Sequence, residues 1–304
     1  MSGVAAVVVN HNTRAHLRAC LASLPRGLPA VVVDNASTDG SPEMVRAEFP
    51  EALLLADGTN PGYGAAANRG VRACAAEHVL VLNSDTRLEP GAPEALRAYL
   101  DAHPRAAVAG PRLLNPDGSP QASCFPFPGT LAWFLENDPV APLAARVPGL
   151  RDRLLCASPP RRATAVPWVL GAALAVRRSA FEAVGGFDEG YFMYFEEVDL
   201  CRRLASAGWE THFVPEARVA HVGAASTSQV RASMAVQHFR STLRFYRRHY
   251  RGPRLAFWLG TMRAKMLFRL LRDGAASRVA RSGRRGALRE DAAAWRRAIL
   301  ETGR

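Results

Sequence analysis

The sequence lacks the features that mark secreted and membrane-spanning proteins. Its five cysteines include no CxxC pair and follow no regular spacing, which is typical of reduced, mostly buried thiols and not of a disulfide framework. The apolar run from Val4 to Val9 follows no basic leader and is too short for a signal peptide or a membrane span. We therefore expect a cytoplasmic protein whose first buried strand starts close to Met1.

Lysine is nearly absent, and acidic residues become scarce toward the C-terminus. Lys265 is the one lysine among 39 basic residues, so the placement of charge is more informative than the choice of arginine. Residues 231–304 contain 19 basic and 4 acidic residues, whereas residues 1–230 contain 20 and 23. The net charge of +12 therefore divides into a tail of +15 and a body of −3. With 48% apolar and 22% charged residues the chain can bury a core, which excludes a mostly disordered or fibrous protein.

The first 110 residues alternate short apolar runs with helical stretches. Runs rich in β-branched residues without polar alternation predict strands covered on both faces, as in a parallel α/β sheet. The predicted strands cover residues 4–9, 30–33, 53–56 and 78–82, and the predicted helices cover residues 14–24, 41–49 and 64–76. Ligands of such sheets bind beyond the carboxyl ends of the strands, so the polar residues at these ends are candidate site residues.

Two segments at the strand ends suggest contacts to a nucleotide. Asp34 opens DNASTDGS and is placed to accept hydrogen bonds from a ribose or a base edge, with capping of the next helix as the alternative. NPGYGAAANRG combines glycines, which allow a close backbone approach, with Asn60 and Asn68 as polar contacts. Its GYGAAA also matches the loose dinucleotide pattern, which makes an NAD-dependent oxidoreductase a second hypothesis, although HNTR stands where that fingerprint belongs.

Acidic residues elsewhere suggest a metal site and a general base. Asp85 ends the run HVLVLNSD, and an oxygen ligand there suits Mn²⁺ or Mg²⁺ on a diphosphate. His221, in RVAHVG, is either a core histidine or a further metal ligand. Glu196 and Glu197 lie where a predicted helix begins, and the positive N-terminus of a helix favours the ionised carboxylate that a general base requires.

Prolines interrupt the pattern in the middle of the chain. Eleven of the 21 prolines fall between Pro111 and Pro167, which predicts a long irregular insertion with one short helix over residues 130–136. Ordered patterning then returns. The predicted elements are strands over residues 169–176 and 211–214 and helices over residues 179–184 and 197–207.

The motifs, in this order, resemble those of a known enzyme family. The resemblance is carried by a strand ending in Asn10, then DNASTDGS, NPGYGAAANRG, VLNSD, GAALAVRRSAFEAVGGFDEGYFMYFEEVDLCRR and RVAHVGAAS. This chain is similar to the family-2 inverting glycosyltransferases of the GT-A fold, and especially to their bacterial rhamnosyltransferase-like branch, over about residues 4–225. The resemblance implies an α/β fold with a mostly parallel central sheet, a nucleotide-diphosphate sugar donor, a divalent metal, and inversion by direct displacement.

The resemblance also implies roles for the candidate residues. Asp85 and His221 would bind the metal, and Glu197 would deprotonate the acceptor hydroxyl. The donor would be bound by Asn10, Asp34, Asn60, Asn68, Asn83 and Asp85. The acceptor pocket would be lined by Trp168, Gly171 and Ala172.

Two departures from the family pattern affect these roles. Asn83 stands where many relatives carry a carboxylate, so compensation of the metal charge depends more on Asp85 and the diphosphate. The pair Glu196–Glu197 replaces the usual Glu–Asp, and the choice of base between the two stays open, with Glu197 preferred.

We therefore expect a catalytic domain over residues 1–228 and a basic helical extension over residues 229–304. The domain would consist of a nucleotide-sugar-binding half at 1–110, the insertion at 111–167, and an acceptor-binding and catalytic half at 168–228. The expected substrates are a dTDP- or UDP-sugar and a saccharide or lipid-linked acceptor.

The basic tail contains a stretch with two-sided helical patterning, residues 252–272. On a helical projection Arg254, Lys265, Arg269 and Arg272 share one side, and Leu259, Met262, Met266 and Leu270 form an apolar row about a quarter-turn away. This predicts either a helix on the anionic inner face of the plasma membrane or one packed against the catalytic domain or a second subunit. Nucleic-acid binding is a third hypothesis that rests on charge alone, and we expect no nucleic-acid partner because no recognition motif is present.

Overall fold

A computed structural model of the chain describes residues 3–130, 160–223 and 231–279, together with the helical positions 293 and 296. The strands are β1 Val4–Asn10, β2 Ala30–Asn35, β3 Leu53–Asp57, β4 His78–Asn83, β5 Thr86–Leu88, β6 Ala106–Leu114, β7 Cys124–Phe125, β8 Thr164–Val166, β9 Trp168–Val169, β10 Ala173–Arg177 and β11 Glu210–His221. The helices are α1 Arg14–Ala22, α2 Ser41–Glu48, α3 Tyr63–Ala73, α4 Ala92–Ala102, α5 Arg178–Ala183, α6 Glu196–Ser206, α7 Arg231–His249 and α8 Gly252–Val279.

The central sheet has nine strands and is mostly parallel. Eight strands follow the order β3-β2-β1-β4-β10-β6-β11-β5, and β8 pairs with β11. Strands β10, β5 and β8 run antiparallel to their neighbours, and the other six share one direction. The sheet and its flanking helices confirm the predicted fold class.

The strand order places the polar strand ends where a ligand site is expected. Strands β2 and β3 follow β1 on one side of it, whereas β4 lies on its other side. The strand order therefore reverses beside β1. Ligands of open α/β sheets bind in the crevice at such a reversal. Asn10 pairs with Asp34 across β1 and β2, and Val9 pairs with Asn83 across β1 and β4. The strand-end residues predicted from the sequence therefore meet at one edge.

Helices cover both faces of the sheet. The main core lies between β1, β4 and the helices α1, α2 and α4, with Leu17, Leu80 and Leu100 among its buried members. On the other face α3 approaches closely, because a Cβ at Gly70 would lie 2.3 Å from Cγ1 of Val7. This position therefore requires glycine.

The described cysteines are buried, as the sequence predicted. Cys20, Cys74, Cys124 and Cys201 form no disulfide, and Cys156 lies outside the described residues. Burial raises the pKa of the Cys20 and Cys201 thiols to about 12, so these thiols are unreactive at neutral pH.

The predicted strand over residues 169–176 is wrong as a single element. Strand β9 pairs with β7 in a separate two-stranded sheet, whereas β10 lies between β4 and β6 in the central sheet. The chain therefore bends between Val169 and Ala173, and the bend carries Gly171 and Ala172. Apolar composition predicted both strands but not that they pair in different sheets.

Strand β6 runs into the segment predicted as an irregular insertion. It ends at Leu114 and contains Pro111, which pairs with Val214 of β11. On its other side β10 pairs no further than Ala109, so the missing N–H of the proline interrupts no pairing there. The helix predicted over residues 130–136 lies outside the described residues except for Thr130.

The chain divides into two compact units. The first comprises residues 1–190 and 196–226, and the second comprises residues 191–195 and 227–304. The predicted domain boundary at residue 228 lies in a segment that the structure does not describe. In the second unit, Ser241 Oγ donates to the Met193 carbonyl at 2.7 Å, and the rings of Tyr246 and Trp258 stack at 5.8 Å. None of the described helices combines the length and the apolar character needed to cross a bilayer.

Helix α8 buries part of the apolar row predicted from the sequence and exposes a different one. Met262 and Met266 of the predicted row are buried. The exposed apolar side chains are Phe257, Leu267, Phe268 and Leu271. The helix thus has an inner methionine row and an outer aromatic and aliphatic row.

Candidate active site

The paired ends of β1 and β2 form a buried polar cluster. Asn10 Nδ2 donates to Oδ2 of Asp34 at 2.7 Å, and the Ser37 N–H donates to Oδ1 at 2.8 Å. A carboxylate has about four lone-pair directions, so Asp34 retains acceptor capacity beyond these two bonds. These contacts order the turn after β2 and leave acceptor capacity on Asp34 for the predicted nucleoside contact.

Hydroxyl groups join this cluster to the end of β4. Thr13 Oγ1 donates to Oδ1 of Asn10 at 2.7 Å and lies 2.6 Å from Oγ of Ser84. The Ser84 N–H in turn donates to the Val9 carbonyl at 3.2 Å. Thr13 and Ser84 were not predicted as site residues. Their signal in the sequence is a hydroxyl residue within three positions of a polar strand end.

Asp85 and His221 approach each other although 136 positions separate them in the sequence. Oδ1 of Asp85 lies 3.4 Å from Nε2 of His221, and both residues are buried. The other ring nitrogen, Nδ1, lies 2.8 Å from Oε1 of Gln121, and Nε2 of Gln121 donates to Asn115 Oδ1 at 3.1 Å. With the amide in this orientation, the ring proton is placed on Nδ1 and the Nε2 lone pair faces Asp85.

This arrangement suits a positive charge between Asp85 and His221. A carboxylate oxygen and an imidazole lone pair repel each other unless a proton or a metal ion lies between them. The described residues contain no group of three or more His, Cys, Asp or Glu side chains placed to hold a metal. Gln121, which orients the histidine, was not predicted because it lies in the proline-rich segment, where no periodic pattern marks it.

Glu196 and Glu197 begin helix α6, and both side chains are buried. The Gly171 N–H donates to Oε1 of Glu197 at 3.3 Å. A Cβ at Gly171 would lie 3.3 Å from three carbons of that side chain, so glycine permits the approach. The bend between β9 and β10 therefore supplies a hydrogen-bond donor to one of the two predicted bases.

The two glutamates differ in their surroundings. Burial and the adjacent Glu197 raise the pKa of Glu196 well above its usual value. Each of the two carboxyls has a buried Oε2 atom that makes no hydrogen bond within the described residues, so this feature does not distinguish them. Two buried carboxyls cannot both be charged at low cost, and the charge is better accommodated on Glu197, which accepts the Gly171 N–H.

Tyr63 connects the parts of this site and was not predicted from the sequence. Its hydroxyl donates to the Gly171 carbonyl at 2.9 Å. Burial is the main cause of its raised pKa, and the carboxyls of Glu196, Glu197 and Asp85 add to it. Its position within GYGAAA is the available signal in the sequence, but that pattern is defined by its glycines and not by the tyrosine.

The predicted acceptor residues have different environments. The Asn83 N–H donates to the Ala172 carbonyl at 2.8 Å, so Ala172 and Gly171 lie at the strand-end edge. Trp168 is buried, donates from Nε1 to the Pro126 carbonyl at 2.8 Å and stacks on Phe125 with ring centroids 4.4 Å apart. These contacts give Trp168 a supporting role beneath the bend, and acceptor binding stays a prediction for all three.

The side chains of Asn60 and Asn68 both form hydrogen bonds with backbone groups. Oδ1 of Asn60 accepts the Gly62 N–H at 3.1 Å and so orders the turn before α3. Asn68 Nδ2 donates to the Phe187 carbonyl at 2.9 Å and to Oε1 of Glu189 at 3.0 Å, and its Oδ1 accepts the Phe187 N–H at 2.9 Å. These bonds fix the loop before α6 onto α3. The donor-binding roles of both residues stay predictions.

The mostly parallel sheet, its reversal of strand order and the acidic end of one strand agree with the fold of a GT-A type glycosyltransferase. The model of the family described as "Glycosyltransferase like family 2" matches residues 2–243. The chain belongs to this family.

Several named proteins are similar to this chain. It is 36% identical over 282 residues to the N-acetylglucosaminyl-diphospho-decaprenol L-rhamnosyltransferase of Mycobacterium tuberculosis, covering 86% of this chain and 90% of that protein. It is 40% identical over 85 residues to the rhamnosyltransferase WbbL of Escherichia coli, covering 28% and 32%. The solved mannosyltransferase PcManGT of Pyrobaculum calidifontis, in complex with GDP-Man and Mn²⁺, superposes with a TM-score of 0.56 at 19% identity, covering 99% and 84%.

The family and its members confirm the predicted enzyme class. The protein is a glycosyltransferase that moves a sugar from a nucleotide-sugar donor to a hydroxyl acceptor, and inversion is typical of its family. Its relatives among rhamnosyltransferases agree with a part in polysaccharide synthesis. The comparisons give no support to the oxidoreductase or nucleic-acid-binding hypotheses.

Proposed function

We propose that the enzyme transfers an L-rhamnosyl group from a dTDP- or UDP-linked donor to a hydroxyl of a lipid-linked saccharide. The observation that carries the proposal is the buried Tyr63 hydroxyl, which binds the Gly171 carbonyl in the field of Glu196, Glu197 and Asp85. This observation supports a single site in which the proposed base, Glu197, lies near the proposed metal ligand, Asp85. The choice of sugar and acceptor is supported by the rhamnosyltransferase relatives.

Asp85 and His221 are the side chains that we propose for a divalent ion, Mn²⁺ or Mg²⁺. The Nδ1–H of the histidine is held by Gln121, which leaves Nε2 as a ligand atom beside the carboxylate. A bound divalent ion would neutralise the donor diphosphate and stabilise the leaving group. With these two side chains as protein ligands, oxygens of the diphosphate and water would supply the remaining ligands.

Glu197 is the proposed general base. Its carboxylate, held by the Gly171 N–H, takes the proton of the acceptor hydroxyl. The acceptor oxygen forms a bond to the anomeric carbon while the bond from that carbon to the diphosphate breaks, and the configuration inverts. Glu196 keeps its proton and so leaves the negative charge on Glu197.

The finer contacts to substrate follow from the strand-end edge. We propose that Asp34 accepts a hydrogen bond from the nucleoside, and that Gly171 and Ala172 line the acceptor pocket. The second unit would bring the enzyme to the inner face of the plasma membrane through the exposed apolar side chains of α8. A homodimer formed through the same helix is the alternative.

A donor and variant screen tests this function. Purified enzyme is incubated with Mn²⁺ and dTDP-, UDP- or GDP-sugars, and released nucleotide is scored with and without a saccharide acceptor. We expect turnover with dTDP- or UDP-rhamnose, and a loss of about a hundred-fold or more in Glu197→Gln and in Asp85→Ala. Glu51→Gln, at an exposed position of the first unit, serves as the control. Full metal-dependent turnover by both site variants would contradict the proposal.

A further inference from the structure

The second unit contains an open cavity of about 480 Å³, and four of the five described residues that line it are arginines. The lining residues are Arg240, Leu243, Arg244, Arg247 and Arg248, all on helix α7. The four arginines are exposed, whereas Leu243 is buried and forms an apolar floor. No feature of the sugar-transfer site accounts for this cluster.

The spacing of these arginines is unfavourable for the helix alone. Arg240, Arg244 and Arg247 or Arg248 follow one another at intervals of three and four, which places them on one face. Like charges at these spacings destabilise a helix. Residues 227–272 contain eleven Arg or Lys and no Asp or Glu, so the sequence concentrates positive charge in this stretch.

Arginine is also the side chain best suited to a phosphate ligand. Its planar guanidinium donates two parallel hydrogen bonds to phosphate oxygens, and several such groups suit a ligand with several phosphate oxygens. The Arg244 guanidinium lies 5.3 Å from the ring centroid of Tyr191, a contact that restricts its motion. Part of the cavity is therefore ordered before a ligand binds.

We propose that this arginine cavity binds the diphosphate group of the lipid-linked acceptor. The inference rests on the proposed function for the existence of such an acceptor, and it adds where the charged part of that substrate is held. The exposed Phe257, Leu267, Phe268 and Leu271 on α8 of the same unit offer an apolar surface for a lipid, which favours a lipid diphosphate over a free one. The arginine cavity thus selects acceptors by their charge.

Binding of inorganic pyrophosphate to the full-length protein tests the chemistry of the site. We expect pyrophosphate to bind the wild type with measurable heat by calorimetry, and the affinity to fall about ten-fold or more in Arg240→Gln/Arg244→Gln. Arg26→Gln/Arg46→Gln removes the same charge from exposed positions of the first unit and should bind as the wild type does. Equal affinity in all three proteins would overturn the proposal.

A pair of acceptors distinguishes the source of the phosphate. One carries the saccharide on a short prenyl diphosphate, and the other carries the same saccharide on an uncharged alkyl chain. We expect the arginine variant to raise KM about ten-fold for the first acceptor only, with kcat nearly unchanged. An equal effect on both acceptors would overturn the proposal.

The two hypotheses fail in different ways. If the wild type transfers rhamnose and the arginine variant keeps both KM values, the arginine cavity has no part in acceptor binding while the proposed function stands. If no donor is turned over but pyrophosphate binding is lost in the variant, the cavity is a diphosphate site and the proposed function is wrong.

Discussion

Gly171 is held on both sides by site residues. Its N–H donates to Glu197, and its carbonyl accepts the Tyr63 hydroxyl. Tyr63 therefore acts on the proposed base through the backbone, as a positioning residue that need not touch either substrate. Small displacements of a base lower the rate of a reaction steeply, because proton transfer requires hydrogen-bond distance.

Replacing Tyr63 by phenylalanine keeps the ring and removes the hydroxyl that fixes Gly171. We expect kcat to fall about ten-fold while KM for the donor changes little, and the acidic limb of the kcat–pH profile to move. Steady-state kinetics across pH provide the measurement. Tyr99→Phe is the matched control, since it removes a hydroxyl that binds His212 Nδ1 at 2.9 Å away from the strand-end edge. Equal kcat losses in the two variants would show a general effect of losing a hydrogen bond.

Glu196 makes stability depend on pH in a defined direction. Its raised pKa means that the folded chain keeps a proton that the unfolded chain releases, so stability falls as pH rises above the usual glutamate range. We expect Glu196→Gln to flatten the free energy of unfolding between about pH 5 and pH 8, by about 1 kcal/mol or more at the upper end. Urea titrations at several pH values measure this. Glu43→Gln, at an exposed position, should keep the wild-type slope.

Helix α8 carries more exposed large apolar side chains than any other element among the described residues. Phe257, Leu267, Phe268 and Leu271 are 60%, 51%, 66% and 63% exposed, and Arg254, Lys265 and Arg272 lie within the same stretch. An apolar row beside cationic side chains is the arrangement by which a helix binds an anionic membrane surface. The inner methionine row leaves this outer row available.

The membrane interaction can be tested by replacing two of the exposed apolar side chains of the outer row with polar ones. We expect Phe257→Ser/Phe268→Ser to lower binding to phosphatidylglycerol vesicles about ten-fold or more, because burying each phenylalanine contributes about 1.5–3 kcal/mol. Vesicle co-sedimentation measures the change, and Leu53→Ser, an exposed apolar position of the first unit, is the control. A wild-type dimer that the double variant dissociates, with vesicle binding unaffected, would instead support the homodimer.

The sequence predicted elements well where one local signal decided the outcome. Short apolar runs marked β1 to β4, and polar residues at the strand ends located Asn10, Asp34 and Asp85. The sequence-based prediction failed where pairing between distant segments determines the structure. Apolar composition did not show that residues 168–177 belong to two sheets. Likewise, the contacts of Gln121 with His221 and of Tyr63 with Gly171 join segments more than 90 positions apart. No local sequence pattern predicts such contacts.

Over the whole molecule, charge and chemistry are separated along the chain. The proposed base and metal ligands lie in the first unit, within a nearly neutral part of the sequence. The arginine cavity and the exposed row of α8 lie in the second unit, within the strongly basic part. One unit would thus perform the displacement, and the other would select and hold a charged lipid.

The absence of acidic residues from 227–272 also affects how the stability of the molecule depends on salt concentration. The net positive charge of this stretch disfavours its compact state, and counterions screen that repulsion. Added salt should therefore stabilise the second unit, and sulfate should do so more than chloride. Exposed ion pairs of the first unit, such as Arg18–Glu48, are weakened by the same screening. Calorimetric melting at low and high salt should therefore shift the two units in opposite directions. A chain built in this way is most robust when anions, or an anionic membrane, surround its C-terminal half.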